Sequence, residues 1–222
     1  MNRTGTTAFP LRPLAWLGVL LLLAACQALP PGRSLPMGSA ADQAYARSLW
    51  RAMVAARMVG PHAIHHAPFV GAARPHGWIL ELAWGELEVA GHRGFAVVKM
   101  NYYGKDLTPA RVARDRRRYL KAITVMYRRE RGYDPDNQDW FWVKYRPDGR
   151  LFHQRMAGRT LAMAGRILAG PTPERTGGCL YCHRSAGGGD YIFYPEIPVP
   201  KWNGGTRPRS DREKTEPSGG RG

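Results

Sequence analysis

Residues 78–103 read WILELAWGELEVAGHRGFAVVKMNYY, and this stretch decides the fold. Its two ends, Trp78 to Val89 and Phe95 to Tyr103, are rich in the aliphatic and aromatic residues that favour β-strands. Between them, residues 90–94 read AGHRG, a composition typical of a turn. The stretch therefore predicts a β-hairpin in the middle of the chain.

Two helices are predicted on either side of this hairpin. The first begins at Ser39, whose hydroxyl can cap it together with Asp42 three residues later, and it ends at Gly60-Pro61. The second is short and basic. It begins at Thr108-Pro109, where threonine suits the N-cap and proline the first turn, and it ends near Tyr119.

Two more strands follow the second helix. The third strand has its apolar residues on one face, and the fourth carries aromatic residues on both faces before a turn at Pro147-Asp148-Gly149. The residues concerned are Ile123, Val125 and Tyr127 in the third strand and Trp140 to Tyr145 in the fourth. Together with the hairpin they predict an α+β fold, a mostly antiparallel β-sheet with flanking helices, in a domain spanning residues 39–200.

The run Cys179-Leu180-Tyr181-Cys182-His183 carries the strongest chemical signal, because CxxCH is the attachment pattern of a c-type haem. Each thiol adds to one haem vinyl group to form a thioether, and a single helical turn brings both sulfurs to the same porphyrin edge. His183 then serves as an iron ligand. A thioredoxin-like redox pair and a zinc half-site are the alternatives, but a structural zinc site usually needs four ligands. The pattern predicts one covalently attached haem c near the C-terminal end of the domain.

The position of this motif argues against a helix-rich c-type cytochrome. Those proteins usually carry CxxCH near the N-terminus, whereas here it follows all the predicted strands. The motif therefore predicts a C-terminal attachment point on a β-rich pocket.

The N-terminal segment has the features of a bacterial lipoprotein signal peptide. Residues 1–13 contain two arginines and no acid, and residues 14–25 are apolar. Twelve helical residues rise about 18 Å, which is short of the roughly 30 Å hydrocarbon core. Leu23-Ala24-Ala25-Cys26 resembles a lipobox, which implies cleavage after residue 25 and lipidation of Cys26. A plain secretory cleavage near Ala25 or an uncleaved anchor is the alternative.

This assignment uses all 3 cysteines, one for lipid and two for haem, and it predicts an exported protein that faces the periplasm. Gln27, rather than Asp, follows Cys26, which favours the outer membrane over the inner one. Residues 26–38 are rich in Pro, Gly and Ser and are predicted to be a flexible tether. Residues 201–222 are predicted to be a disordered tail.

The chain is strongly basic. Without residues 1–25 it has 33 − 2 = 31 Lys and Arg against 17 Asp and Glu, a net charge of +14. Half of that excess lies in residues 111–131, where nine basic residues accompany two acidic ones. For an exported haem protein, an anionic lipid surface or an acidic redox partner fits this charge better than nucleic acid does. A solvated helix face is the simpler alternative.

Four of the seven histidines lie in the predicted loop between residues 61 and 76, at His62, His65, His66 and His76. One of them can reach the iron from the side opposite His183, although loop histidines are more often simply exposed. Met156 and Met163 are two further candidates for a second iron ligand.

Ordered motifs from Trp78 to Pro195 resemble those of the cytochrome P-460 family, which includes the β-type cytochromes c-prime. The matching segments are Val125-Met126-Tyr127, Gly132-Tyr133-Asp134-Pro135, Asp139 to Tyr145, Pro147-Asp148-Gly149, Ala164-Gly165-Arg166, Gly178 to His183 and Asp190-Tyr191-Ile192-Phe193. The resemblance implies an antiparallel sheet, a homodimer, and a haem whose iron is open on one side. That open position implies a small-molecule ligand such as nitric oxide or hydroxylamine.

The same resemblance implies two possible functions. In the first, the protein binds a small ligand or transfers electrons to a redox partner cytochrome, and Phe95, Trp140 and Trp142 line the haem pocket. In the second, it is an enzyme that oxidises hydroxylamine or nitric oxide, in which Lys99 forms an additional covalent bond to the haem. Lys99 lies in an apolar run, but strand alternation can also point it to solvent.

One departure from the family weighs against the enzyme. The position of the proton-accepting carboxylate falls among Thr124, Val125 and Met126, none of which can take a proton. Glu130 is near in sequence but lies among arginines, where an ion pair is expected. Ligand binding or electron transfer is therefore the favoured prediction.

Overall fold

A six-stranded antiparallel sheet forms the centre of the domain. The computed structural model describes residues 37–71, 76–156, 158–167, 178–194 and 196–203. The sheet has the order β1-β2-β3-β4-β5-β8, and β6 and β7 form a separate hairpin. The strands are β1 (Phe69–Val70), β2 (Ile79–Val89), β3 (His92–Tyr102), β4 (Leu120–Arg128), β5 (Trp140–Tyr145), β6 (His153–Met156), β7 (Arg159–Ala162) and β8 (Ala164–Gly165). The predicted α+β class and antiparallel sheet are confirmed.

Within the described residues, four α-helices and one 3-10 helix accompany the strands. They are α1 (Ala40–Ala55), α2 (Pro109–Arg114), α3 (Arg116–Tyr119), α4 (Cys179–His183) and the 3-10 helix Pro135–Asn137. The predicted capping box of α1 is present, because the Asp42 amide donates to the Ser39 hydroxyl and the Ser39 amide donates to the Asp42 carboxylate. The predicted start at Ser39 is therefore confirmed.

One predicted helix boundary is wrong, and one predicted helix has the predicted ends but is interrupted. α1 ends at Ala55 rather than at Gly60-Pro61, because Arg57 adopts a left-handed conformation with φ 57°. Val59 is nevertheless buried, which explains why its position fitted the helical pattern. The second predicted helix is broken in two at Asp115, whose side chain caps α3 by accepting from the Arg118 amide at 3.1 Å.

The predicted hairpin is confirmed, and its turn is tighter than the sequence indicates. Only Ala90 and Gly91 connect the strands, with φ 50° and 81°, and Val89 pairs with His92. Positive φ at both central residues matches the two-residue turns that follow the natural twist of paired strands. The polar residues 92–94 therefore belong to β3, where pairing with β2 overrides their weak strand propensity.

The two faces of the sheet pack against different partners. On one face, α1 contributes Leu49 and Met53 to a core that includes Val98, Val125 and Phe141. We call the apolar cluster on the other face the site core, because it includes Leu180 of α4. Its buried members are Met37, Leu82, Phe95, Val97, Met126, Trp140, Trp142, Leu161, Ile167, Leu180, Tyr191, Ile192 and Ile197.

Residues just outside both predicted domain limits contact the domain. Met37, from the predicted tether, is 2% exposed in the site core, and Gly38 donates its amide to the Ala164 carbonyl at 2.7 Å. Trp202, from the predicted tail, donates its indole N–H to Asp139 at 2.9 Å. The predicted signal peptide and Cys26 lie outside the described residues. Within the part that is described, none of the helices has the length and apolar character needed to cross a membrane.

Candidate functional site

Helix α4 places the CxxCH motif against the site core. It follows Gly178 and is held by Leu180, which is 2% exposed and donates its amide to the Ile167 carbonyl at 3.3 Å. Cys179 and Cys182 are free thiols one helical turn apart, and Cys179 is the more buried of the two. Burial raises the pKa of the Cys179 thiol to about 11, and the charges of Lys144 and Lys99 act in the opposite direction. Both sulfurs are thus held on one short, anchored helix.

His183 is held in one orientation by its surroundings. Its Nδ1 lies 2.7 Å from the carbonyl oxygen of Tyr191, and its ring centre lies 4.9 Å from that of Trp142 and 5.3 Å from that of Phe193. Burial lowers the pKa of His183 to about 4, so the ring is neutral at pH 7. A neutral imidazole that donates from Nδ1 to a carbonyl leaves Nε2 with a free lone pair, which is the usual arrangement of a metal-binding histidine.

The segment after α4 is fixed to the start of β5. Gln138 donates its side-chain N–H to the Gly189 carbonyl at 2.6 Å, and Trp140 donates its indole N–H to the Asp190 carbonyl at 3.2 Å. Tyr191 is 4% exposed and has φ 71°, an uncommon conformation for a residue with a side chain. These contacts set the position of the carbonyl that orients His183.

Strand register brings two lysines together on the site-core face. Lys99 of β3 pairs with Thr124 of β4, which pairs with Lys144 of β5, so the three residues form one row across the sheet. Burial lowers the pKa of both lysines, that of Lys99 to about 8, and the nearby Cys179 thiol acts in the opposite direction on both. Lys99 therefore lies on the same face as α4, and this face is cationic.

Two buried polar atoms on the same face lack hydrogen-bond partners among the described residues. They are Oδ1 of Asn101 and Nε1 of Trp142, in residues that are 1% and 3% exposed. The Asn101 amide nitrogen is satisfied, since it donates to the Lys99 carbonyl at 2.9 Å and to Thr124 Oγ1 at 3.2 Å. Other buried atoms away from this face also lack partners, among them the Tyr45 and Tyr133 hydroxyls, so the two atoms are open to a further hydrogen bond but do not by themselves mark a site.

His76 is the one loop histidine that reaches this face. Its ring centre lies 6.2 Å from that of His183, with an angle of 85° between the ring planes. Burial, followed by the charges of Lys99, His183 and Lys144, lowers the pKa of His76 to about 3. The Asn101 side chain opposes this shift, although its Oδ1 does not reach hydrogen-bond geometry with the ring.

Two other loop histidines contact the carboxylate of Glu81 on the opposite face of the sheet, His65 through its ring and His66 through its backbone amide, and the His66 ring lies 6.2 Å from that of Trp84. Glu81 is fully buried and accepts from His65 Nδ1 at 3.1 Å, from the His66 amide at 2.7 Å, from Tyr102 at 2.7 Å and from Arg116 at 2.9 Å. His62 is exposed. His76 therefore differs from these three histidines in that its ring contacts His183.

The three aromatic residues predicted to line a pocket, Phe95, Trp140 and Trp142, all belong to the site core, together with Leu180 and the partly buried Cys179. Met156 and Met163 also pack against it. Of the three neighbouring positions considered in the sequence, Thr124 and Met126 share the face of Lys99, whereas Val125 packs on the α1 side. Glu130 forms the expected ion pair, with Arg129.

Sequence reasoning missed Lys144, Asn101 and Tyr191. Lys144 gave the same signal as Lys99, a lysine within an apolar strand, and the pairing of β3 with β4 and of β4 with β5 brings the two together. Asn101 gave a weaker signal, an amide in a strand of otherwise apolar character. The role of Tyr191 depends on its backbone carbonyl, which no side-chain pattern indicates.

Part of the basic segment 111–131 is used inside the domain. Arg129 stacks on Tyr45 and Tyr133, with its guanidinium carbon 3.9 Å and 4.2 Å from the ring centres, and Arg128 stacks on Trp140 at 4.4 Å. The other basic residues of this segment, apart from Arg116, are exposed: Arg111, Arg114, Arg117, Arg118, Lys121 and Arg131. The positive surface is therefore smaller than the sequence count indicates.

Neither a metal-binding cluster among the described residues nor a similar protein identifies the site. Within the described ranges, no group of three or more His, Cys, Asp or Glu side chains is arranged to hold a metal ion. The chain matches no family model, no curated protein and no solved structure.

Proposed function

We propose that this chain is an exported, lipid-anchored c-type cytochrome with one haem, which binds a small ligand such as nitric oxide or transfers electrons. The observation that carries this proposal is the geometry of α4. Its two thiols lie one turn apart, and the following histidine has its Nδ1 at the Tyr191 carbonyl, which leaves Nε2 for iron. This arrangement supplies what a covalently attached haem needs on one side.

The residues of the site-core face fit such a group. Cys179 and Cys182 would hold the haem by thioether bonds, His183 would bind its iron, and the apolar site core suits the flat porphyrin. The partly buried Lys99 and Lys144 and the buried indole N–H of Trp142 are donors that can pair with haem carboxylates. When bound, the haem supplies one-electron chemistry and a binding position for a diatomic gas.

The attachment is tested by expressing the full chain in a bacterium that matures c-type cytochromes and measuring intact mass and haem-stained gels. We expect one haem per chain, resistant to acid–acetone extraction. A Cys179→Ala/Cys182→Ala double variant should carry no covalent haem. Covalent haem that persists in the double variant would refute the assignment of these cysteines.

A matched control separates haem attachment from lipidation. Cys26→Ser should keep the haem and release the protein from the membrane fraction, because the predicted lipid-modified residue is lost.

The exposed arginines and lysine of segment 111–131 are proposed to face an acidic redox partner or anionic lipid. Outer-membrane anchoring facing the periplasm and formation of a homodimer are part of the same proposal.

The second candidate function is oxidation of hydroxylamine or nitric oxide. The observation that favours it is the position of Lys99, which is on the face of α4 and whose pKa is lowered by burial, so that its amine is more readily neutral. The position aligned with the family's carboxylate offers Thr124 and Met126 on this face, and neither accepts a proton at neutral pH. Ligand binding or electron transfer therefore remains the main proposal.

A proteolytic digest decides between the two functions. If Lys99 is bonded to the haem, the haem is released attached to both the CxxCH peptide and a peptide that contains Lys99. Haem released with the CxxCH peptide alone, together with an ordinary c-type absorption spectrum, would exclude the cross-link. Lys99→Arg is the matched variant, because it keeps the charge and cannot form the same bond.

A further inference from the structure

We infer that His76 is the second axial ligand of the haem iron, on the side opposite His183, in the resting protein. The inference rests on the proposed haem attachment and goes beyond it, because it replaces an open iron position with one closed by a residue of this chain.

The spacing of the two rings carries the inference. A metal ion between two imidazoles lies about 2 Å from each nitrogen, and each ring centre lies about 1 Å further, which separates the centres by about 6 Å. The centres of His76 and His183 are 6.2 Å apart. The rings of Trp142 and Phe193 approach His183 more closely, at 4.9 Å and 5.3 Å. Of the three ring neighbours, His76 is thus the one with room for one atom between the rings.

The other histidines are placed elsewhere. His62 and His153 are exposed, the His65 ring contacts Glu81, and His66 contacts Glu81 through its backbone amide while its ring lies 6.2 Å from that of Trp84. His92 lies against Tyr127 and has its Nε2 3.3 Å from the Arg128 carbonyl. Of the seven histidines in the chain, His76 and His183 are therefore the pair that meets on the site-core face.

The surroundings of His76 fit a ligand held in place by its neighbours. Gly77 packs so closely on the backbone of Tyr102 that a Cβ there would overlap the Tyr102 carbonyl oxygen, which fixes the chain directly after His76. The unpartnered Oδ1 of Asn101 lies on the same face and can accept from the second ring nitrogen. Metal-bound histidines almost always donate their other N–H to such an acceptor, which fixes the ring orientation and tautomer.

Ligation by His76 has a consequence for gas binding. Carbon monoxide or nitric oxide would bind iron only after His76 leaves, so the apparent affinity falls by the fraction of protein in which the position is open. Ligation of the iron by His76 would thereby favour electron transfer over gas binding.

The absorption and electron paramagnetic resonance spectra of the matured full-length protein test the inference. We expect the ferric wild type to be low-spin, and His76→Ala to be largely high-spin. Added imidazole should return the His76→Ala variant to the low-spin state. His62→Ala is the matched control, because it removes an exposed histidine of the same loop and should leave the spectrum unchanged.

A second measurement uses the ferrous protein. Carbon monoxide should bind to His76→Ala at least about tenfold faster than to the wild type, since no ligand has to leave first. His76→Met, which offers a different ligand atom, should stay low-spin with a shifted spectrum. Equal rates of carbon monoxide binding in wild type and His76→Ala would overturn the inference.

The outcomes distinguish this inference from the proposed function. A high-spin wild type that carries covalent haem would overturn His76 ligation and leave the proposed cytochrome standing. A low-spin spectrum that persists in His76→Ala would do the same and direct attention to Met156 or Met163. Absence of covalent haem from the matured wild type would overturn both.

Discussion

Replacing Arg116 by glutamine should destabilise the domain in a way that depends on pH. Arg116 donates to the fully buried carboxylate of Glu81 at 2.9 Å and to the His66 carbonyl at 3.0 Å. Removing one partner of a fully buried ion pair costs about 3–5 kcal/mol. The Arg116 side chain is 21% exposed, and Glu81 keeps its bonds from Tyr102 and the His66 amide. We therefore expect the free energy of unfolding at neutral pH to fall by about 2–3 kcal/mol, which is at or just below the lower limit of that range.

The pH dependence follows from the pKa of Glu81. Burial alone would raise this pKa, but the hydrogen bonds from Tyr102, Arg116 and the His66 amide outweigh it and lower the pKa. A carboxylate with a lowered folded-state pKa contributes stability above its unfolded pKa of about 4.3, and this contribution is lost as pH falls through the folded value. The difference between wild type and Arg116→Gln should thus be largest at pH 7 and shrink below about pH 4.

Urea unfolding of the haem-loaded protein, followed by far-ultraviolet circular dichroism at pH 7 and pH 3.5, measures this difference. Arg117→Gln is the matched control, because Arg117 is the exposed neighbour in the same helix and its loss should change stability by less than about 0.5 kcal/mol. A double-mutant cycle with Glu81→Gln isolates the pairwise energy. The reasoning would be refuted if Arg116→Gln lowered the free energy of unfolding by less than about 1 kcal/mol at pH 7, or by the same amount at pH 7 and pH 3.5.

Three further substitutions test the packing that positions the site. Leu180→Ala should destabilise the protein by about 2–5 kcal/mol in urea and lower the yield of covalent haem, because it removes the anchor of α4; an unchanged yield would show that α4 is held by other contacts. Ser39→Ala should cost about 1 kcal/mol by removing the acceptor for the Asp42 amide, and Ser39→Thr should restore most of it. Gly94→Ala should lower the melting temperature, since its Cβ would overlap a backbone carbonyl of β4, whereas Gly187→Ala, with open space around it, should not. Similar melting temperatures for the two glycine variants would contradict the close approach at Gly94.

The main elements of the sheet could be predicted from the sequence because their signals are local. Alternating or continuous apolar runs produced β2, β3, β4 and β5, and the capping pair Ser39 and Asp42 marked the start of α1. The helix ends at Ala55 and Asp115 could not be predicted in the same way. They depend on a left-handed residue and on a side-chain cap, which single-residue preferences do not specify.

The site could be predicted only in part, because its chemistry is assembled from distant segments. CxxCH is contiguous, so Cys179, Cys182 and His183 stand out in the sequence. Lys144 is 45 residues from Lys99 in the sequence, and only the register of three strands puts them in one row. His76 lies in the sequence among three other loop histidines, and only its ring contact with His183 in the structure sets it apart.

The row formed by Lys99, Thr124 and Lys144 is positively charged, and this explains why a bound anionic group at this site is physically reasonable. Lys99 and Lys144 flank Thr124, and the neighbouring rows carry Asn101 and Ala122 on one side and Val97, Met126 and Trp142 on the other, none of them acidic. Two partly buried ammonium groups without a carboxylate are costly, and burial lowers the pKa of each. A bound group that carries carboxylates would offset this cost for both lysines and would satisfy the indole N–H of Trp142. We therefore expect haem loading to stabilise the fold beyond the contribution of the thioether bonds, and we expect Lys144→Met to reduce that gain while leaving the haem covalently attached.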